Sequence, residues 1–233
     1  MKKTLIITSY IEYKERINKE DLLDYDTVIC ADGGHLVAKS FQISPDYIIG
    51  DFDSANIPEA AQNTIKNNRD KVFNEEDLKT KLSKEDKIIV LPSEKDMTDT
   101  EAALSFAVQL GAKNIDVLGG LGGRIDHTLG NLSLLAKYTE EENSLRFFDG
   151  LNMVTLLVPG TYHLEKLGYK YTGLLSYTPF CKGITLKGFK YPLTNHTLTF
   201  DTTLGISNEI IGDSAELSFN EGLLLLAMSN DAK

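Results

Sequence analysis

The sequence predicts an α/β plus all-β protein: an N-terminal unit with a doubly wound, mostly parallel sheet and flanking helices, then a C-terminal β-sandwich or jelly-roll-like unit. Three observations predict it. Up to about residue 150, short apolar runs alternate with helical patterns, as in a parallel sheet with crossover helices. Beyond that point helical periodicity stops, and apolar runs are separated by Gly, Asn, Pro and Asp turn signals. The chain of 233 residues is 42% hydrophobic and 25% charged, a globular balance that can fill one large core or two modest ones. The expected division is 1–148 and 149–233.

In chain order, "TLIITS", "TVICA" and "YIIGD" are continuous apolar runs of the kind buried on both faces of a parallel sheet. "KIIVLP", "NIDVLGG" and "LRFFD" continue the series. Helical spacing marks "GHLVAKSFQ", "IPEAAQNTIKNN", "TDTEAALSFAVQLG" and "RIDHTLGNLSLLAKY", and Gly111 stands where a helix C-terminus favours glycine. "FNEEDLKTKLSKEDK" is almost wholly charged and reads as an exposed excursion. In the second unit "MVTLLV", "KYTGLLSYTPF", "ITLKGF", "HTLTFD", "AELSF" and "GLLLLAM" are the strand candidates.

A net charge of −10 argues against nucleic acid as a bulk partner, so an anionic ligand needs local cations or a metal. Cys30 and Cys181 lie far apart in sequence and suggest neither a disulfide framework nor a zinc site. They read as buried thiols of a cytoplasmic protein. The opening "MKKTLIITSY" reads as a first strand, and no apolar run reaches the roughly 20 residues that span a bilayer.

Four loops carry acids or glycines just beyond strand ends, where open α/β sheets bind ligands. In "IIGDFDS", Asp51 and Asp53 are one residue apart. In an extended chain they share a face about 6.6 to 6.8 Å apart at Cα and call for a cation. Alone, the stretch is equally a solvated turn. "CADGG" offers Asp32 with Gly33 and Gly34, whose backbone N–H groups can approach a ligand or make a tight turn. "SEKDMTDTEAAL" places Asp96 and Asp99 at a helix entrance, where Thr98 and Glu101 also have capping-box spacing. In "GGLGGRIDHTLGNLSLL", Gly122 and Gly123 precede Arg124, Asp126 and His127 at a helix start, a common phosphate cradle. Turns and caps explain each loop singly, but not the gathering of acids, glycines and an arginine on one edge. Acids for Mg²⁺ and backbone donors for phosphates are what nucleotide phosphoryl transfer requires.

In their order and spacing these four motifs resemble the thiamine pyrophosphokinase family, and "GFKYPL" followed by "GISNE" resembles its thiamine-binding domain. The resemblance implies Mg²⁺-dependent transfer of pyrophosphate from ATP to thiamine by a homodimer with sites at the subunit junction. It implies that Asp51, Asp53 and Asp99 hold the metal, with Arg124 and Asp126 in the catalytic group. Asp32, Asp96, Thr98 and His127 match positions lining the nucleotide site, and Asn131 is assigned there too. Tyr191 matches the aromatic flanking thiamine, and Ser207 and Asn208 match polar residues near its pyrimidine ring. Two other classes stay open on residues alone. A nucleotide-sugar glycosyltransferase also holds a metal with Asp-x-Asp, and a non-catalytic nucleotide or thiamine sensor could share the fold.

Overall fold

A computed structural model describes residues 2–52, 87–140 and 144–232. The predicted helix "IPEAAQNTIKNN", nearly all of the charged excursion, and Asp53 lie outside the described residues. Strands β1 (Lys3–Ile7), β2 (Thr27–Ala31), β3 (Tyr47–Gly50) and β4 (Ile88–Val90) come first. They are followed by β5 (Asn114–Leu118) and β6 (Ser144–Phe148), and all six lie parallel in the order β4-β3-β2-β1-β5-β6. Successive side chains of β1 enter different cores. Leu5 and Ile7 face the layer containing Ala38 of helix α1 (Gly34–Ser40), and Ile6 faces helices α2 (Asp99–Gln109) and α3 (Ile125–Glu140). Helices therefore cover both faces, which is why these strands read as unbroken apolar runs.

Helix ends follow the sequence signals. Thr98 caps α2, its hydroxyl accepting the Glu101 N–H at 3.2 Å. At the other end Gly111 and Ala112 donate to the carbonyls of Val108 and Ala107, closing the helix in a Schellman pattern.

The sandwich is not a detached body. The buried carboxylate of Asp149 accepts the N–H groups of Leu151 and Asn152 at 2.9 and 2.7 Å, turning the chain straight back on itself. Strand β7 (Asn152–Leu157) thereby pairs antiparallel with β6, and the sheet continues through β13 (Leu224–Ser229) to β9 (Tyr171–Ser176). Against this extension packs a second sheet in the order β11-β10-β12-β8, from β11 (Leu193–Thr199), β10 (Phe180–Lys187), β12 (Ser214–Phe219) and β8 (Gly160–Glu165). Leu224, Leu226 and Met228 of β13 meet Ile184, Leu186 and Leu217 of that sheet in one core. The alternating residues Leu225 and Ala227 pack toward the helical layer instead. Strand β8, "GTYHLE", is absent from the sequence reading because none of its residues is fully buried, leaving no apolar run to detect.

Candidate active site

Strand order reverses between β1 and β5, the place where the two halves of a doubly wound sheet leave a crevice. A cavity of about 490 Å³ opens there. Thr8, Ser9 and Tyr10 after β1 line one side, and Gly120, Gly122 and Gly123 after β5 line the other. Arg124 just before α3, His127 and Asn131 within it, and Thr100 of α2 complete it. The close approach of the two loops depends on glycine: a Cβ on Gly119, at φ +92°, would lie 2.3 Å from both Thr8 Oγ1 and the Tyr10 carbonyl. Asn131, 6% exposed, donates from Nδ2 to the Gly120 carbonyl at 2.7 Å and so holds the loop it adjoins.

The structure brings five expected nucleotide residues, Gly122, Gly123, Arg124, His127 and Asn131, to this cavity. Others it places differently. Gly34 serves packing, since a Cβ there would meet the Ile7 carbonyl at 1.9 Å, so α1 can lie against β1 only without a side chain. Gly33 is the N-cap of that helix. Thr98 is spent on its cap, and Asp96 is exposed and not among the cavity walls. Asp126 is exposed and receives both arms of the Arg124 guanidinium, whose hydrogen bonds hold its carboxyl below the usual range.

Asp51 and Asp99 converge on Lys95, which sequence reasoning passed over. Its Nζ donates to Asp51 Oδ2 at 2.7 Å and lies 3.2 Å from Asp99 Oδ1. The lysine side chain is 9% exposed. Burial opposes its charge, but hydrogen bonding to Asp51 and the charges of both acids outweigh burial and raise its pKa. Burial raises the pKa of Asp99, and the charges of Asp51 and Asp32 add to that against the pull of Lys95. Asp99 Oδ1 is buried and, among the described residues, has no hydrogen bond of good geometry, although a cation stands beside it. Hard oxygen donors around one buried cation position fit a divalent ion such as Mg²⁺. Among the described residues no three metal-type side chains cluster, and Asp53 lies outside them.

The extended backbone expected beyond β3 does not continue through Phe52. Strand β3 stops at Gly50, and the buried Phe52 adopts φ +52°, a backbone that is not extended, while Asp53 lies outside the described residues. The left-handed residue costs strain that burial of its ring offsets. Asp32 is also left-handed, at φ +45°, and its N–H donates to the Ile49 carbonyl at 2.7 Å. That hydrogen bond brings the end of β2 beside β3.

On the sandwich, Tyr191 is 58% exposed while Asn208 is 4% exposed. Asn208 Oδ1 accepts the N–H groups of Tyr191 and Glu209 at 3.0 and 2.9 Å, and its Nδ2 donates to the Tyr191 carbonyl at 2.8 Å. Asn208 thus fixes the backbone under the ring. Ser207, next to Asn208 in the chain, lies in the wall of a second cavity of about 480 Å³ with Tyr171, Gly173 and Asp231.

Beyond Lys95, the residues missed from sequence are Thr8, Ser9, Tyr10 and Thr100. "TSY" does follow an apolar strand, the same signal used for the other loops.

Comparison with known proteins agrees along the whole chain. Residues 19–147 match the family model described as thiamin pyrophosphokinase, catalytic domain, and residues 161–224 match thiamin pyrophosphokinase, vitamin B1 binding domain. The chain is similar to thiamine pyrophosphokinase of Bacillus subtilis, 40% identical over 145 residues, covering 61% of this chain and 67% of that protein. The crystal structure of the B. subtilis protein superposes with a TM-score of 0.79 at 28% identity, covering 100% of both chains. That of the Geobacillus thermodenitrificans thiamin pyrophosphokinase gives 0.75 at 32% identity, covering 99% of both.

Proposed function

Because the chain belongs to the thiamin pyrophosphokinase family, we propose a division of labour between its two ends, with ATP held at the strand-order reversal and thiamine on the sandwich. The protein is a thiamine diphosphokinase: it transfers the pyrophosphoryl group of ATP to the hydroxyl of thiamine, giving thiamine diphosphate and AMP. Neither the glycosyltransferase nor the sensor reading has support in these matches.

One observation carries the assignment of the ATP site. Asp99 and Thr100 are adjacent at the start of α2, so the wall of the cavity and the buried acid cluster meet at one helix N-terminus. In this reading Asp51, Asp53 and Asp99 hold Mg²⁺, which when bound neutralises charge on the transferred group. The glycine loop and the start of α3 offer backbone N–H groups to the phosphates. Arg124, exposed with Asp126, is free to turn from its neighbour to a phosphate and make a bidentate contact. Asp32 adds to the negative field at the acids, and His127 and Asn131 border the nucleotide. A cluster aspartate accepts the proton of the thiamine hydroxyl, with positioning supplying more than base strength.

Tyr191 offers a face to the cationic thiazolium, and Ser207 a hydroxyl to the pyrimidine. The domain roles follow as 1–148 for ATP and 149–233 for thiamine. A homodimer that joins the two halves across subunits is supported by exposed apolar residues: Ile125 and Leu129 on α3, and Leu204 and Ile206 beside Ser207. Among the described residues no helix is long and apolar enough to cross a membrane. Both cysteines are free and buried, which suits the reducing cytoplasm to which we assign the enzyme.

Incubation with thiamine, ATP and Mg²⁺, followed by identification of the nucleotide product, tests the reaction. AMP and thiamine diphosphate should form in equal amounts. Stoichiometric ADP and thiamine monophosphate would overturn it.

A further inference from the structure

Lys95 has no part in the reaction as derived above, yet its ammonium occupies the position between two carboxylates that the proposed metal requires. It is 2.7 Å from Asp51 and 3.2 Å from Asp99, on a side chain 9% exposed, and it also donates to the Pro92 carbonyl at 3.3 Å. Two acids this buried repel each other unless a cation lies between them. We propose that Lys95 is a built-in stand-in for the divalent cation: it keeps Asp51 and Asp99 aligned in the metal-free enzyme and must swing out for the ion to bind. The inference rests on the reading of those two acids as metal ligands.

The geometry supports exchange rather than a permanent pair. Asp99 Oδ1 is buried 3.2 Å from the ammonium and outside good hydrogen-bond geometry, whereas Asp51 Oδ2 is held at 2.7 Å, so Lys95 satisfies Asp51 better than Asp99. A divalent ion can serve both, since it accepts ligands from several directions. Lys95 stands only four residues before Asp99, in the segment leading into α2. A flexible side chain there can leave the acids without moving either strand. Its departure brings one positive charge to the rim of the site when the ion enters.

Competition of this kind lowers the apparent affinity for the ion. If the acid pair is free of the ammonium for roughly a tenth of the time, the ion binds about tenfold more weakly than its intrinsic affinity. The test is titration of the metal-stripped full-length enzyme with Mn²⁺ alone, followed by electron paramagnetic resonance, for wild type, Lys95→Met and Asp51→Asn. Lys95→Met should bind Mn²⁺ about tenfold more tightly, and Asp51→Asn should bind it far more weakly. Equal or weaker binding by Lys95→Met, with Asp51→Asn still impaired, would overturn the stand-in role alone. Mn²⁺ binding that Asp51→Asn does not impair, or no binding to any form, would overturn the metal site itself and the proposal with it.

A purely structural lysine predicts a different stability pattern. Lys95→Met should melt lower than wild type without metal, and saturating Mg²⁺ should remove most of that deficit. A deficit that persists unchanged in Mg²⁺ would count against the proposal. Should Lys95→Met not fold, wild type decides by itself through amine labelling read by mass spectrometry. Mg²⁺ alone should raise the labelling of Lys95, and unchanged or reduced labelling would sink the idea.

Discussion

At the nucleotide end, polar groups are fixed by backbone geometry and by burial, with glycine turns after β5, helix starts, and acids sharing a lysine that is 9% exposed. At the sandwich end the ring of Tyr191 stands 58% exposed, and only its backbone is pinned, by Asn208 beneath it. The lysines of the two ends make the same contrast. Lys95 is shared between Asp51 and Asp99, whereas Lys190 pairs with Glu209 at the surface and lies 5.5 Å from the centroid of the Tyr191 ring. Buried charges are tightly coupled, so removing one partner leaves the other stranded, while exposed pairs are screened and worth little. Substitutions at the first end should therefore act steeply on catalysis, and substitutions at the second should act mildly on affinity.

The steepest effect is expected at Asp51. Asp51→Asn should lower kcat by at least on the order of 10²-fold, the scale for losing one transition-state electrostatic contact. Sequence alone suggests that relieving like-charge repulsion should cost the metal-free fold little stability or even raise it. Lys95 reverses that sign, because the substitution removes the carboxylate to which the ammonium donates at 2.7 Å. Without metal the variant should lose roughly 1 to 3 kcal/mol by denaturant titration. A near wild-type kcat at saturating Mg²⁺ would break the comparison at its stronger end.

Those two signs show where sequence reasoning stops. The strands of the α/β unit were legible because burial on both faces leaves an unbroken apolar run, and β8 was not because it is half-exposed along its length. Acids and glycines at strand ends were legible as residue types. Their grouping was not, since it depends on strand order: only the reversal between β1 and β5 brings "TSY" opposite "GGLGG". Lys95 was overlooked for a related reason. In "SEKDMTD" a lysine among acids reads as a solvated charge, and its burial follows from β3 and α2 converging. Phe52 misled in the other direction, because an apolar residue between two acids looks like a continuing strand, and the positive φ that buries its ring leaves no trace in composition.

Asn208 separates support from contact at the sandwich end. Asn208→Ala leaves the N–H groups of Tyr191 and Glu209 and the Tyr191 carbonyl without their side-chain partner. The cost should be roughly 1 to 3 kcal/mol, seen as a melting temperature lower by roughly 2 to 12 °C. The KM for thiamine should rise with it and that for ATP should not. Loss of stability with an unchanged thiamine KM would mean that the position of Tyr191 does not matter to the vitamin.

The mildest effect is expected at Tyr191 itself, and it sharpens the contrast most. Its ring already lies near a cation, Lys190, at 5.5 Å from the centroid, so the thiazolium would exchange one cation for another rather than meet an empty face. Losing an aromatic–cation contact at an exposed site costs affinity by roughly 2- to 30-fold. Tyr191→Ala should raise the thiamine KM within that range, toward its lower end because of the exchange, with kcat and ATP affinity nearly unchanged. Lys190→Met tests the reasoning: with the competing ammonium gone, thiamine should bind slightly more tightly to the variant than to wild type. Separate titrations with thiamine and with ATP decide it. Weakened ATP binding in Tyr191→Ala, with thiamine binding intact, would move the vitamin off this face and remove the distinction between the two ends.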